Sequence, residues 1–269
     1  MVELDKPLDL KKARILVTND DGIEAPGIKL MERVALGLSD DVWIVAPDRD
    51  KTGAGHSVTI RTPIHAREVS PRHFAVEGTP TDCVLLGYKE LLGEKKPDLI
   101  LSGFNPGHNL AENITYSGTI SAAIEGTLLG VRSIAWSLAK TKLGAQARTA
   151  VRWETAEHFA PDIIRKAVSI PWASHVLLNV NIPGAPIEKI KDIRVTRQGR
   201  SKFGEIIRKD TDPFGEDIYW ILEAYRLTEN VPGTDIEAMR DGAISVCPLS
   251  LNLTHEPMIE KLKECLIAG

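Results

Sequence analysis

Apolar residues in the first half of the chain come in short unbroken runs separated by stretches of helical spacing. Residues 13–18 (ARILVT) are such a run, too short for a helix, and they end in the polar turn NDDG. This pattern predicts a strand buried on both faces. Residues 26–38 place Ile28, Met31, Val34, Ala35 and Leu38 at helical spacing behind Pro26, a residue suited to a first turn. The alternation continues with a strand at 42–46, a helix at 81–92, a strand at 98–102, a helix at 118–129 and a strand at 131–138. Strands alternating with helices imply right-handed crossovers. The predicted fold class is therefore α/β, a doubly wound, mostly parallel Rossmann-like sheet.

The pattern changes beyond residue 184. Strand-like pieces at 190–196, 204–208 and 218–227 are separated by Asp-Pro and Gly-rich turns, and a further apolar strand at 243–247 precedes an amphipathic helix at 256–267. The expectation is a single domain with its core at about 13–190 and 234–250, a β-hairpin extension arm at about 191–233 and a C-terminal helix at about 256–268. Arms of this kind more often dock on a partner subunit than stand in solvent.

Composition narrows the class. Thirty-three Lys and Arg against 37 Asp and Glu leave a formal net charge of −4, and 43% of residues are hydrophobic. These values exclude a largely disordered chain and a nucleic-acid binder working through bulk charge. A chain of this length can bury roughly three-quarters of its unfolded surface, so it needs no disulfide to fold. Its three cysteines, Cys83, Cys247 and Cys265, are widely spaced and form no zinc pattern, as expected of free thiols in a reducing cytoplasm. The first 17 residues mix charge with apolar positions and are expected to be neither signal nor anchor. The uncharged stretch 167–187 carries three prolines, two asparagines and a histidine. It reads as a helix end, a buried strand at 175–180 and a turn, so no membrane association is expected.

Oxygen-rich groups collect in three loops that follow predicted strands, where open α/β sheets bind ligands. In the first, the adjacent carboxylates Asp20 and Asp21 repel unless a cation or hydrogen-bond donors compensate, and a hard divalent ion does so through oxygen ligands. DDG alone reads more readily as a helix start with acidic caps. In the second loop, Gly53 and Gly55 free backbone N–H groups for an anion, Thr52 and Ser57 add hydroxyls, and His56 is an imidazole able to transfer a proton near neutral pH. A loop histidine bonded to backbone is an equal alternative. The third loop, residues 102–119, is dense in amides (Asn105, Asn109, Asn113) and leads through Tyr116, Ser117 and Thr119 into a helix whose start suits phosphate. His108 and Asp82 read as turn and cap residues, and Trp43, Trp136 and Trp172 as core or interface.

The segments ILVTNDDGIEAPGI, VAPDRDKTGAGHSVTI, VEGTPTDCV, PDLILSGFNPGHN and YSGTISAAIEG, with LNVNIP and TDIEAMRDGAISVCPL further on, resemble the SurE (stationary-phase survival) family of metal-dependent 5′-nucleotidases. The resemblance runs from about residue 14 to 249. It implies a cytoplasmic phosphatase of nucleoside monophosphates, with 3′-nucleotides and short polyphosphate as further substrates of family members. It also implies one divalent cation per subunit, Mg²⁺ or Mn²⁺, held by Asp20, Asp21, Thr52 and Asn105. Thr52 stands where the family usually has Ser, and Phe104 where its SGIN motif has Ile. Exchanged arms and C-terminal segments in the family imply a homodimer or homotetramer.

These readings combine into metal-assisted hydrolysis of a phosphate monoester, with Asp20, Asp21 and His56 as catalytic candidates. Gly53, Gly55, Ser117, Thr119 and Asn109 are the expected phosphate contacts, and His56 the expected proton donor to the leaving oxygen. Water is the favoured nucleophile over an aspartate. A non-catalytic nucleotide sensor is the alternative, disfavoured because two carboxylates beside an anion gain nothing without a cation. An aspartyl-phosphate phosphotransferase lacks its DxD spacing.

Overall fold

The structure, a computed structural model, describes residue 4 and residues 6–143, 148–201, 204–224 and 231–267. Parts of four expectations therefore fall outside the described residues: the extreme N-terminus, positions 225–227 of the expected strand, positions 202–203 and 225–230 of the expected arm, and position 268 of the terminal helix.

The chain runs β1 (Arg14–Thr18), α1 (Pro26–Leu36), β2 (Asp41–Pro47), β3 (Ala66–Ser70), β4 (His73–Val76), α2 (Pro80–Leu86), β5 (Leu99–Pro106), α3 (Gly118–Leu128) and β6 (Arg132–Leu138). It continues through the short pair β7 (Thr141–Leu143) and β8 (Arg148–Ala150), then α4 (Trp153–Val168), β9 (Val176–Ile182) and β10 (Ile193–Val195). The hairpin β11 (Gly204–Thr211) and β12 (Asp217–Ala224) precedes α5 (Asp235–Asp241), β13 (Ile244–Ser250) and α6 (Glu256–Leu266). Among the described residues, nine strands form one sheet in the order β10-β13-β9-β6-β5-β1-β2-β4-β3. Its pairs are parallel except β13–β9 and β3–β4.

Alternation along β1 shows why its three central residues, 15–17, are all apolar. Ile15 and Val17 pack into the cluster with Ile28, Met31, Ile163 and Ile164, from α1 and α4. Leu16 packs on the opposite face with Cys83, Val84 and Ala122, from α2 and α3. Local chemistry sets the helix starts. Pro26 opens α1, Thr79 and Asp82 form a reciprocal capping box on α2, and Ser117 caps α3 by accepting from the Ile120 N–H. Asp82 is thus a cap, as expected, and also receives the Thr59 N–H and hydroxyl at 2.9 and 2.6 Å.

Several boundaries differ from the sequence expectation. The strand expected at 98–102 extends to Pro106, past an irregularity in its pairing with β6, so Asn105 lies on the strand rather than in a loop. The helix expected at 81–92 ends at Leu86 and continues as a π-helical turn, Gly87–Leu91. Ile193–Val195 belongs to the main sheet through β13, so the arm begins later than residue 191. The arm itself is an antiparallel ribbon outside that sheet. At its root the Arg197 N–H donates to Gly233 O and the Asp235 N–H to Arg197 O, at 3.0 and 2.9 Å. Trp136 and Trp172 are buried, and Trp43 is half-buried and stacked on Phe74. Among the described residues, no helix is long and apolar enough to cross a membrane.

Candidate active site

The chain leaves β1 toward β2 on one side and later returns to place β5 on the other, so the crevice at the ends of β1 and β5 is the sheet's topological switch point. A cavity of about 1100 Å³ opens there. Asp20, Asp21, Thr52, Gly53, Asn105, Asn109 and Ser117 all line it, joined by Asp50, His108, Asn113, Tyr116 and Lys140. Pro106, Gly107, Thr149 and the arm's Ile221 complete the lining.

Asp20 is 3% exposed, and the N-terminus of α3 closes over it. Thr119 Oγ1 donates to Asp20 Oδ1 at 2.6 Å, and the Thr119 backbone N–H also acts on the carboxylate. A Cβ on Gly118 would lie 2.7 Å from Asp20 Cβ, so the helix can approach this closely only with glycine there. Burial raises the Asp20 carboxyl above its ordinary value despite the Thr119 bond, with Asp50 adding to the rise. Asp21 is pushed up to about 7, by burial first and then by Asp20 and Asp50, with Lys140 opposing. Its Oδ2 is buried without a hydrogen-bond partner.

These carboxylates fit a hard cation. A buried carboxylate oxygen with no donor, flanked by two further acids, is relieved by positive charge. The neighbouring donors are oxygens of the kind Mg²⁺ and Mn²⁺ prefer. Asn105 Nδ2 donates to Gly107 O at 2.9 Å, which leaves its Oδ1 as the uncommitted atom of the amide. Thr52 Oγ1 donates to Asp50 Oδ1 at 2.6 Å and keeps lone pairs for a further contact. Among the described residues, no group of three or more His, Cys, Asp or Glu side chains forms a metal cluster. The donor set here instead mixes carboxylate with amide and hydroxyl oxygens.

Three of the expected site residues stand apart from the cavity wall: Gly55, His56 and Thr119. Thr119 is fully buried with its hydroxyl on Asp20, so it holds a carboxylate in place of the expected phosphate. His56 Nε2 pairs with Glu125 Oε2 of α3 at 3.1 Å, which ties the imidazole to the helix. Asn109 lines the cavity but is held in a buried amide network. Its N–H donates to Asn181 Oδ1, its Nδ2 to Ser137 Oγ, and its carbonyl accepts from Asn179 and Asn181. Gly53 lines the cavity, with φ +78° and open space where a Cβ would be. Asp50 and Lys140 carry charge into the site from positions that sequence reasoning did not single out. The available signal was their place just beyond β2 and β6, neighbours of β1 and β5 in the sheet.

Residues 15–205 match the family described as Survival protein SurE. The chain belongs to the SurE family. A protein of Paramagnetospirillum magneticum named 5′-nucleotidase SurE is 50% identical over 255 residues, covering 95% of this chain and 96% of that one. A protein of the same name from Caulobacter sp. is 46% identical, covering 94% of each chain. The crystal structure of the SurE protein from Aquifex aeolicus superposes with a TM-score of 0.80 at 42% identity, over 94% of this chain and 99% of that one. Similarity on this scale spans every loop of the cavity, so the SurE fold and the placement of these loops on it are shared.

Proposed function

We propose that this chain is a metal-dependent phosphomonoesterase that hydrolyses nucleoside 5′-monophosphates to nucleoside and phosphate. The observation that carries the reading is the pairing of buried Asp20 with half-buried Asp21, whose Oδ2 is buried without a partner, in the lining of a cavity large enough for a nucleotide. The 5′-nucleotidase name of relatives at 50% and 46% identity supports it.

Asp20, Asp21, Thr52 and Asn105 are the residues that would hold the cation. When bound, a divalent ion supplies charge neutralisation and polarisation of a phosphoryl oxygen. The chain's own groups do the rest. Thr119 and the α3 N-terminus fix the Asp20 carboxylate, and Gly53 presents its backbone N–H to phosphate. The Ser117 hydroxyl accepts from Ile120 N–H, and its proton is left to donate. Of the two loop histidines His108 lines the cavity and His56 does not, so His108 is the better donor to the leaving ribose oxygen. Water is the favoured nucleophile, because an aspartate tied to Thr119 is poorly placed to attack.

The reading includes a cytoplasmic location and a homodimer or homotetramer. Exposed Ile207, Phe214 and Tyr219 on the arm, with Met258, Leu262 and Leu266 on α6, are apolar surface that a second copy can cover. Light scattering on the full chain gives the assembly directly.

The deciding experiment is phosphate release from a panel of nucleoside monophosphates with Mg²⁺, with Mn²⁺ and with chelator, for wild type and Asp21→Asn. Chelator-sensitive turnover that collapses in the variant is expected. Nucleotide binding without turnover under every cation would replace the enzyme with the sensor alternative.

A further inference from the structure

Strand order sorts charge along the edge of the sheet that forms the cavity. β2, β1, β5 and β6 are neighbours in that order. Asp50 follows β2, Asp20 and Asp21 follow β1, Asn105 lies at the end of β5, and Lys140 follows β6. The carboxylates therefore stand to one side of Asn105 and an ammonium to the other. Among the described residues lining the cavity, Lys140 is the one Lys or Arg.

The Lys140 backbone is held firmly. Ala139 N–H donates to Ile182 O at 2.9 Å, and Gly107 N–H donates to Leu138 O at 2.9 Å. Gly184 packs so tightly that a Cβ there would lie 2.5 Å from Ala139 O and 3.0 Å from the Lys140 carbonyl carbon. The side chain is exposed, and among the described residues its ammonium has no hydrogen-bond or ion-pair partner within reach. A lysine on a fixed root, uncommitted, at the rim of an anion's cavity has the chemistry of a point-charge phosphate ligand. A phosphomonoester carries about two negative charges near neutral pH. Beyond the cation that the carboxylates would hold, a positive charge on the opposite flank strengthens the hold on this dianion.

We propose that Lys140 is a phosphate-binding residue, its ammonium taking a non-bridging phosphoryl oxygen on the side of the cavity opposite the carboxylates. This rests on the phosphomonoesterase reading and adds to it a specific recognition group for the dianion. The competing role is internal: Lys140 would merely offset repulsion among Asp20, Asp21 and Asp50. The two roles predict opposite responses of cation binding.

The test compares wild type, Lys140→Met and Lys140→Arg in the full chain. Mn²⁺ binding to chelator-treated protein is measured by calorimetry, and inorganic phosphate is measured as an inhibitor of nucleotide hydrolysis. Lys140→Met is expected to weaken phosphate inhibition and lower kcat/KM by roughly tenfold or more, with part of the loss restored by Lys140→Arg. Mn²⁺ is expected to bind Lys140→Met at least as tightly as wild type, because a positive charge beside Asp21 has been removed. Phosphate inhibition unchanged in Lys140→Met would overturn the proposal. So would weakened phosphate inhibition accompanied by weakened Mn²⁺ binding. If wild type releases no phosphate with any cation, the phosphomonoesterase reading fails. Calorimetry of phosphate on Mn²⁺-loaded wild type and Lys140→Met then decides the role of Lys140 separately.

Discussion

The Thr119 hydroxyl donates to Asp20 at 2.6 Å, joining the start of α3 to the end of β1 across 99 positions of the chain. A carboxylate this deeply buried is held by that donor and by the helix N-terminus, whose partial positive charge favours an anion. Thr119→Val keeps the shape and removes the donor, which costs about 1–3 kcal/mol for a buried hydrogen bond to a charged group. The expected result is Mn²⁺ affinity and kcat/KM each lowered by roughly tenfold or more, at that price in interaction energy. Calorimetry and steady-state kinetics on the same preparation check it, and Thr119→Ser should restore both.

Gly118 sits where a methyl group would meet Asp20 Cβ at 2.7 Å and Oδ2 at 2.9 Å. Alanine is the better helix former, so Gly118→Ala leaves α3 intact and displaces the carboxylate instead. Cation binding and turnover should fall while far-ultraviolet circular dichroism stays unchanged. A variant with wild-type Mn²⁺ affinity would show that Asp20 tolerates the displacement.

His56 and Glu125 tie the Gly53 loop to α3 at 3.1 Å, on a glutamate that is 8% exposed. Positioning through one contact predicts that His56→Gln and Glu125→Gln have similar effects and that the double variant adds little to either, a coupling that a double-mutant cycle reads directly. The pattern should differ from His108→Gln, which is expected to lower kcat while leaving Mn²⁺ binding intact. Equal kinetic profiles for His56→Gln and His108→Gln would return the proton-donor role to His56.

Asp41 couples acid stability to the strand edge. Burial alone would raise its carboxyl, but hydrogen bonds from Arg14, Trp43 and Lys95 outweigh that and hold it at about 2. Its folded value lies below the ordinary 3.8, so its stabilising contribution is complete above that value and is lost as pH falls from there through about 2. The stability gap between wild type and Asp41→Asn, measured by urea unfolding, should therefore be widest near neutral pH and narrow steadily below pH 4. A gap independent of pH would mean that the carboxylate charge is not what stabilises this corner.

Much of the architecture is written in local patterns. Short apolar runs at residues 15–17, 42–46 and 99–102 must be buried on both faces, which demands helices on both sides of a parallel sheet. Pro26, the Thr79–Asp82 box and Ser117 mark helix starts through chemistry confined to a few adjacent residues. The paired aspartates and the Gly- and Asn-rich loops also identified themselves, because strand ends are where such groups gather. Only the end of α4 is legible, in the uncharged stretch that begins at residue 167, although Ala156, Ala160, Ile163, Ile164 and Val168 keep helical spacing; Pro161 inside the helix weakens that local signal. β3 is exposed at every position and has no apolar signal to read.

Which groups face one another was decided only in three dimensions. Local sequence could assign Thr119 a hydroxyl at a helix start, but its bond to Asp20 depends on how α3 is laid across the end of β1. It could mark His56 as an available imidazole, yet the partner that claims it lies 69 residues on. Asp50 sits unremarked inside the second loop's motif and Lys140 lies outside every motif, and their opposition across Asn105 exists because the strand order puts β2 and β6 on either side of β1 and β5. Side-chain type and short-range periodicity are properties of the chain. Distance between charges, and the burial that makes those charges matter, are properties of the packed sheet.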